Sequence, residues 1–187
     1  VAKTELTLQL ERAIYKATIK QGTFGGFEVT IGWFGKERVD YMTYDTKGVW
    51  RCYEIKVSVA DFRSKAKKTF VGHLNYYVMT EELFDKVKDE IPPGIGVYVH
   101  GWCKKRARKQ ELLIDEQVLK DSMIRSLARE AEKLFNGNDP DFVNYMNRRI
   151  SYERSQYERM RDEYSNYRRE VEEKYGRRWN RQEMKQC

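Results

Sequence analysis

Glu54 and Lys56 stand two residues apart in the stretch Trp-Arg-Cys-Tyr-Glu-Ile-Lys-Val-Ser-Val-Ala-Asp-Phe, positions 50 to 62. Its β-branched and aromatic content reads as a strand. Alternate side chains of a strand share a face, so Cys52, Glu54, Lys56 and Ser58 point one way and Tyr53, Ile55 and Val57 the other. Glu54 and Lys56 are then neighbours, about 6.5 to 7 Å apart along the strand. One strand earlier Asp40 lies between Val39 and Tyr41, which take the opposite face. A hairpin between the two strands brings Asp40 beside Glu54. Two converging carboxylates repel, and a divalent cation relieves this by accepting an oxygen from each. Mg²⁺ or Mn²⁺ fits such hard oxygen ligands. Lys56 would then polarise an attacking water or stabilise charge growing on a phosphate. A Glu-x-Lys triplet by itself is more often an exposed ion pair of little energetic weight. Asp40 and the strand context are what raise it above that.

The elements that must position these residues follow from periodicity and punctuation. Thr4 caps a predicted amphipathic helix with Leu6, Leu10, Ala13, Ile14 and Ala17 on one side, ended by Gly22, Gly25 and Gly26, which read as turn glycines. Three strands are predicted over 27–34, 37–45 and 49–59, joined as an antiparallel meander. A basic helical stretch over 60–73, a strand over 74–79, a Thr80-capped helix and a strand near 94–102 follow. This order predicts an α/β fold with a mixed sheet flanked by helices. A further helix spans 118–135, and Asn-Gly-Asn-Asp-Pro at 136–140 separates it from a long C-terminal helical extension. In that extension Val143, Met146, Ile150, Tyr157, Met160, Tyr164, Tyr167 and Val171 alternate by three and four, a heptad-like seam broken at Glu153. The predicted organisation is a core over 1–118, a helix over 119–136 that packs on it or leads from it, and a charged, tyrosine-rich helical tail over 137–187. The tail would form a coiled coil, as a homodimer, or dock a host protein.

Asp40, then Glu54-Ile55-Lys56 on the next strand, behind an N-terminal helix carrying Glu5, resembles the PD-(D/E)xK nuclease superfamily. The segment from Arg38 to Ser64 is further similar to its MmcB-like, DNA-repair-type branch and to related phage proteins, in which E-x-K-x-S is followed by Asp-Phe. The similarity covers roughly residues 4 to 100 and leaves the tail unexplained. It implies a restriction-endonuclease-like core and Mg²⁺-dependent hydrolysis of DNA phosphodiester bonds. It also implies Asp40, Glu54 and the Ile55 carbonyl as metal ligands, Lys56 as the catalytic lysine, and Glu5 as the helix carboxylate reaching the metal through water. Glu11 takes that role if the helix is rotated. Ser58, Asp61 and the following lysines fall close to substrate. Val39 replaces the superfamily's proline, and Ser-Lys-Ala-Lys-Lys (64–68) stands where the branch has Asp-x-Lys-Trp.

Composition is compatible with that reading. The 187 residues carry a net charge of +7, and 35% are charged, a bias toward a polyanionic partner. Candidate DNA contacts are Arg63, Lys65, Lys67 and Lys68 after the motif, and Lys104, Lys105, Arg106 and Arg108 in the later basic run. Cys52, Cys103 and Cys187 are too scattered for a zinc site or a disulfide scaffold, and no apolar run reaches the roughly 20 residues of a membrane span. A cytoplasmic protein of a bacterium or phage-infected host is expected, with no membrane partner. His73 and His100 read as structural, and Tyr76 and Tyr77 as core rather than base-stacking residues. The competing expectation is a catalytically silent nuclease-fold protein that binds and modulates a partner protein or nucleic acid.

Overall fold

The computed structural model describes residues 3–35, 37–64 and 68–176. The first helix, α1 (Glu5–Thr18), begins where Thr4 accepts a hydrogen bond from the Thr7 N–H at 3.2 Å. It buries Leu10 and Ile14. The strands are β1 (Thr23–Thr30), β2 (Arg38–Asp45), β3 (Trp50–Ile55), β4 (Leu74–Met79), β5 (Gly96–Val99) and β6 (Trp102–Lys105). They form one sheet in chain order, antiparallel from β1 to β3, parallel from β3 through β5, and antiparallel again at β6. The helices α2 (Val59–Phe62) and α3 (Glu81–Val87) lie in the two parallel crossovers, followed by α4 (Glu116–Asn138) and α5 (Pro140–Tyr175). The fold is therefore α/β, a six-stranded mixed sheet flanked by helices, with a long C-terminal helix.

Three apolar clusters hold the sheet. Leu10 and Ile14 of α1 pack with Tyr41, Tyr53, Ile55, Tyr76 and Val78. Leu119 and Met123 of α4 pack with Val29, Val39, Met42, Trp50 and Cys52. Phe62, Leu83 and Val87 from α2 and α3 cover Tyr77, Met79, Val97 and Val99. Tyr76 and Tyr77 are core residues, as their alternation implies.

Several expectations are corrected. Gly25 and Gly26 are strand residues of β1, not turn glycines. A Cβ on Gly25 would come within 2.5 Å of the Tyr41 hydroxyl, so glycine here admits the packed ring. The third strand ends at Ile55 rather than 59, because Ser58 caps a new helix turn by accepting from the Asp61 N–H. Of the helix expected over 60–73, the described part is helical only at 60–62, within the four-residue α2. Val39 and Tyr41 do not share a cluster. Glu28 lies opposite Asp40 in the register, takes a left-handed φ of 50°, and the β1–β2 ladder skips that pair.

The chain divides into two compact units, one up to Ala131 and one from Glu132. The boundary falls inside α4, whose first half carries Leu119 and Met123. In the second unit, α5 starts at Pro140 with Asp139 accepting from the Asp141 N–H, and no α5 residue is buried. Arg149–Glu153, Arg154–Glu158, Arg159–Glu163 and Arg168–Glu172 pair one turn apart along it.

Candidate active site

Lys56 follows directly on the end of β3, and its N–H donates to the Val78 carbonyl at 2.9 Å, extending the β3–β4 alignment by one residue. Its side chain is 7% exposed. The ammonium lies 3.7 Å from Glu54 Oε2 and 3.7 Å from Asp61 Oδ1. Asp61 is held in turn, since its Oδ2 accepts from the Val57 N–H at 3.1 Å. Asp40 accepts from the Ile55 N–H at 2.9 Å, which ties the motif aspartate to the middle residue of the Glu-Ile-Lys triplet. Glu54 Oε1 accepts from the Thr69 N–H at 3.2 Å, and the Thr69 hydroxyl is buried without a hydrogen-bond partner among the described residues. Asp40, Glu54, Lys56 and Asp61 thus gather at the C-terminal end of β3.

A cleft of about 250 Å³ opens beside this cluster, lined by Glu11, Glu28, Arg38, Asp40, Lys56 and Asp61 among others, with Glu54 outside the lining. Glu28, with its left-handed backbone, belongs to the rim. Non-glycine residues in that conformation cost energy and collect at functional sites. Glu5 is not part of the lining: its carboxylate is 67% exposed and pairs with Arg12 at 3.6 Å. Glu11, the alternative on the same helix, is 13% exposed, faces the cleft and pairs with Lys3 at 2.6 Å.

The electrostatics are those of crowded, partly desolvated carboxyls. Burial pushes Glu54 up from 4.5 to about 7, the Asp40 charge adds to the rise, and Lys56 and the Thr69 N–H only partly offset it. Burial also raises Asp40, against the lowering effect of the Ile55 N–H and of Lys56. A cation bound at Glu54 would have to displace its proton near neutral pH, which would make its binding pH-dependent.

Among the described residues no cluster of three or more His, Cys, Asp or Glu side chains is arranged to hold a metal. Mg²⁺ does not require one. It is commonly held by one or two carboxylates and retains several waters. Asp40 and Glu54 supply two such carboxylates, and the orphaned Thr69 hydroxyl beside Glu54 is a ready partner for a bound water. Asp40 and Glu54 are the carboxylates that a hydrated Mg²⁺ or Mn²⁺ would take here.

Comparison with known proteins yields one informative likeness. The fold matches that of a protein of unknown function from Silicibacter pomeroyi. The two share 20% identity with a TM-score of 0.59, over 75% of this chain and 96% of the other. That likeness extends to the fold alone. No protein-family model and no curated protein matches the sequence.

The remaining predicted contacts are dispersed. Arg63 forms a two-pronged pair with Glu90, at 3.0 and 2.6 Å, and Lys68 donates to the Ser64 carbonyl. Lys65 and Lys67 lie outside the described residues. Lys104 pairs with Glu81 at 2.6 Å and lies over the Phe84 ring, while Lys105 ends the edge strand β6. Arg106 and Arg108 follow on the segment after β6, where the Arg108 N–H donates to the Gly94 carbonyl. His73 is structural, its Nδ1 accepting from the Trp50 N–H at 3.1 Å. Sequence reasoning left Glu28 and Thr69 out of the site. Neither residue belongs to the D…E-x-K pattern, so no motif signalled them.

Proposed function

We propose that the chain is a Mg²⁺- or Mn²⁺-dependent nuclease with a restriction-endonuclease-like core that hydrolyses DNA phosphodiester bonds. One observation carries this reading: Asp40 and buried Lys56 line a cleft at the end of β3, buried Glu54 pairs with Lys56 behind it, and burial, with Asp40 beside Glu54 and Asp61 beside Asp40, holds both carboxyls up. A structural ion pair would be expected to match charges. Here Glu54 and Asp61 share the Lys56 ammonium, and Asp40 stays raised by burial despite Lys56 and Arg38 nearby.

Asp40, Glu54 and the Ile55 carbonyl would hold the cation, which when bound supplies Lewis-acid stabilisation of the phosphoryl oxygens and an activated water. Lys56 places its ammonium where it can orient the water or meet the negative charge developing on the phosphorane. Asp61 and Glu54 fix that ammonium in place. Glu11, which lines the same cleft and pairs with Lys3, would accept a proton from water. Lys105, Arg106 and Arg108 have no acidic partner among the described residues, and they suit backbone contacts that carry no sequence information. The parallel with the Silicibacter pomeroyi protein supports the scaffold and leaves the chemistry to these residues.

A second reading draws on α5. Its exposed seam, with Tyr157, Met160, Tyr164 and Tyr167 each more than 60% exposed, favours a protein partner or a second copy. The nuclease-like core could serve as a scaffold for that interaction. The two readings part in a cleavage assay. Wild-type protein is incubated with supercoiled, linear and single-stranded DNA in Mg²⁺ or Mn²⁺, beside Lys56→Ala and Asp40→Asn. Cutting that requires the metal and disappears in both variants supports the nuclease. No cutting of any substrate leaves the scaffold reading in its place.

A further inference from the structure

The turn between β1 and β2 presents two adjacent aromatic rings to solvent, Trp33 at 74% and Phe34 at 100% exposure. The loop is not a loose excursion. The Ile31 N–H donates to the Glu37 carbonyl at 3.0 Å and closes its base. From α4, Arg125 Nη2 donates to the Thr30 and Gly32 carbonyls at 3.0 and 2.7 Å, and Ser122 Oγ accepts from the Gly32 N–H at 3.0 Å. The Arg125 guanidinium also lies over the Trp33 ring at 4.8 Å, and its Nη1 is buried without a hydrogen-bond partner among the described residues. One face of the indole is therefore backed by a cation that is itself anchored, and the ring remains largely open.

This tip stands at the same end of the sheet as the candidate site. Thr30 pairs with Arg38, and Asp40 is two residues further along β2, roughly 7 Å by the strand rise. Arg38, 56% exposed, lies between tip and cleft, and both Arg38 and Asp40 line that cleft. The chain's net charge is +7. A flat, cation-backed ring on a chain of net positive charge suits a ligand that is both anionic and built from planar π-systems. Bases inside a duplex already have both faces stacked, whereas unpaired bases have faces to offer.

We propose that Trp33 and Phe34 form a stacking platform for unpaired nucleobases, so that the substrate of the site is single-stranded DNA or the unpaired portion of a DNA junction. The proposal rests on the nuclease reading for the meaning of "substrate", while the platform itself is a binding surface that can be tested without cleavage. A strand whose phosphate enters the cleft passes the tip with its flanking bases. Trp33 takes one base on the face away from Arg125, and Phe34 takes a neighbour or caps the first unpaired position.

The test measures binding of fluorescein-labelled oligo(dT) and of a blunt duplex by anisotropy in EDTA, where no metal-dependent cleavage runs. The proteins are wild type, Trp33→Ala, Phe34→Ala, the double variant and Trp33→Phe, each checked for folding by circular dichroism. The single alanine variants are expected to lose about tenfold in affinity for oligo(dT), the loss of one stacked base. Duplex binding should change less than threefold, by comparison, and Trp33→Phe should recover most of the loss. The slope of affinity against salt should stay the same, because no phosphate contact is removed. Unchanged oligo(dT) binding in the double variant, or an equal loss on both DNAs, overturns the proposal. So does sedimentation with anionic vesicles that depends on the two rings while DNA binding does not, because the tip would then be a membrane contact. Cleavage assays on the same variants separate the two ideas. If wild type binds oligo(dT) through the rings but cuts nothing in Mg²⁺ or Mn²⁺, the nuclease reading fails and the platform stands. If wild type cuts and the ring variants bind and cut like it, the platform fails and the nuclease stands.

Discussion

Replacing Glu54 by glutamine removes a charge that the native state holds at a cost, so Glu54→Gln should stabilise the protein, and more so at high pH. The carboxyl moves from 4.5 to about 7 on folding, which corresponds to about 3 kcal/mol carried by the ionised form. Because the native value is the raised one, the unfolded chain ionises first. The associated stability is complete below pH 4.5 and is lost as pH rises through about 7. By pH 5 about 1 kcal/mol of it has gone, and by pH 8 about 3 kcal/mol. Glutamine keeps the shape and can still accept from the Thr69 N–H. Its constant effects, including the charge it takes from Lys56, cancel when two pH values are compared. The stability gap between Glu54→Gln and wild type should therefore widen by about 2 kcal/mol from pH 5 to pH 8. Urea unfolding followed by near-ultraviolet circular dichroism reads this, since the signal comes from the packed rings around Trp50, Tyr41 and Tyr53. Saturating Mg²⁺ should stabilise wild type at pH 8 and leave the variant unmoved, because a ligand that binds only the native state adds stability that grows with the logarithm of its concentration over Kd. A gap that is the same at both pH values would refute the argument that the site is charge-frustrated.

Other expected outcomes follow from the same geometry. Glu11→Gln should lower metal-dependent cleavage at least tenfold while Glu5→Gln leaves it within twofold, roughly the scale of losing one proton-transfer group, because only Glu11 lines the cleft; single-turnover rates on one substrate decide this. Cleavage and metal affinity should both rise with pH through about 7, where Glu54 gives up its proton; a titration at fixed Mg²⁺ checks the direction. Arg106→Ala and Arg108→Ala should each weaken duplex binding and reduce the salt slope by about 1, whereas Lys104→Ala, whose ammonium is already paired with Glu81, should change it less. Removing residues from Asp139 onward should change the sedimentation behaviour or abolish partner capture without unfolding the sheet; a truncated core that sediments as the intact protein does, relative to its mass, would leave the α5 seam without a role in assembly.

Much of the sheet was legible because its signals are local, although β1 runs over Thr23–Thr30 rather than 27–34 and the strand expected near 94–102 is the β5–β6 pair. Leu74 to Met79 is bounded by His73 and Thr80 and forms β4 over that span, and Thr4 and Thr80 cap the helices that follow them. The spacing of Glu54 and Lys56 was legible, and both carboxyl and ammonium are buried together at the end of β3. Asp40 reaches the same end by accepting from the Ile55 N–H, a contact that hairpin alternation alone does not give. What escaped were features set by tertiary contacts. Gly25 looks like a turn signal, yet it is needed in a strand because the Tyr41 ring lies against it. Strand β3 ends at Ile55 because Ser58 and Asp61 form a cap within a run that otherwise reads as continuous β. The choice between Glu5 and Glu11 depends on the rotation of α1 about its axis, which Leu10 and Ile14 set by packing on Tyr41 and Tyr53. Glu28 reaches the cleft through a backbone conformation that its residue type does not announce.

The central claim is that Asp40 and Glu54 are gathered to hold a divalent cation beside Lys56. Anomalous diffraction from crystals soaked in Mn²⁺ at pH 8 tests it most directly. The account predicts one Mn²⁺ bridging an oxygen of Asp40 and an oxygen of Glu54, at roughly the 2.1 Å expected of small hard cations, with the Ile55 carbonyl as a further ligand and no such peak in Glu54→Gln. Saturating Mn²⁺ that leaves this position empty, with Lys56 still spanning Glu54 and Asp61, would contradict it.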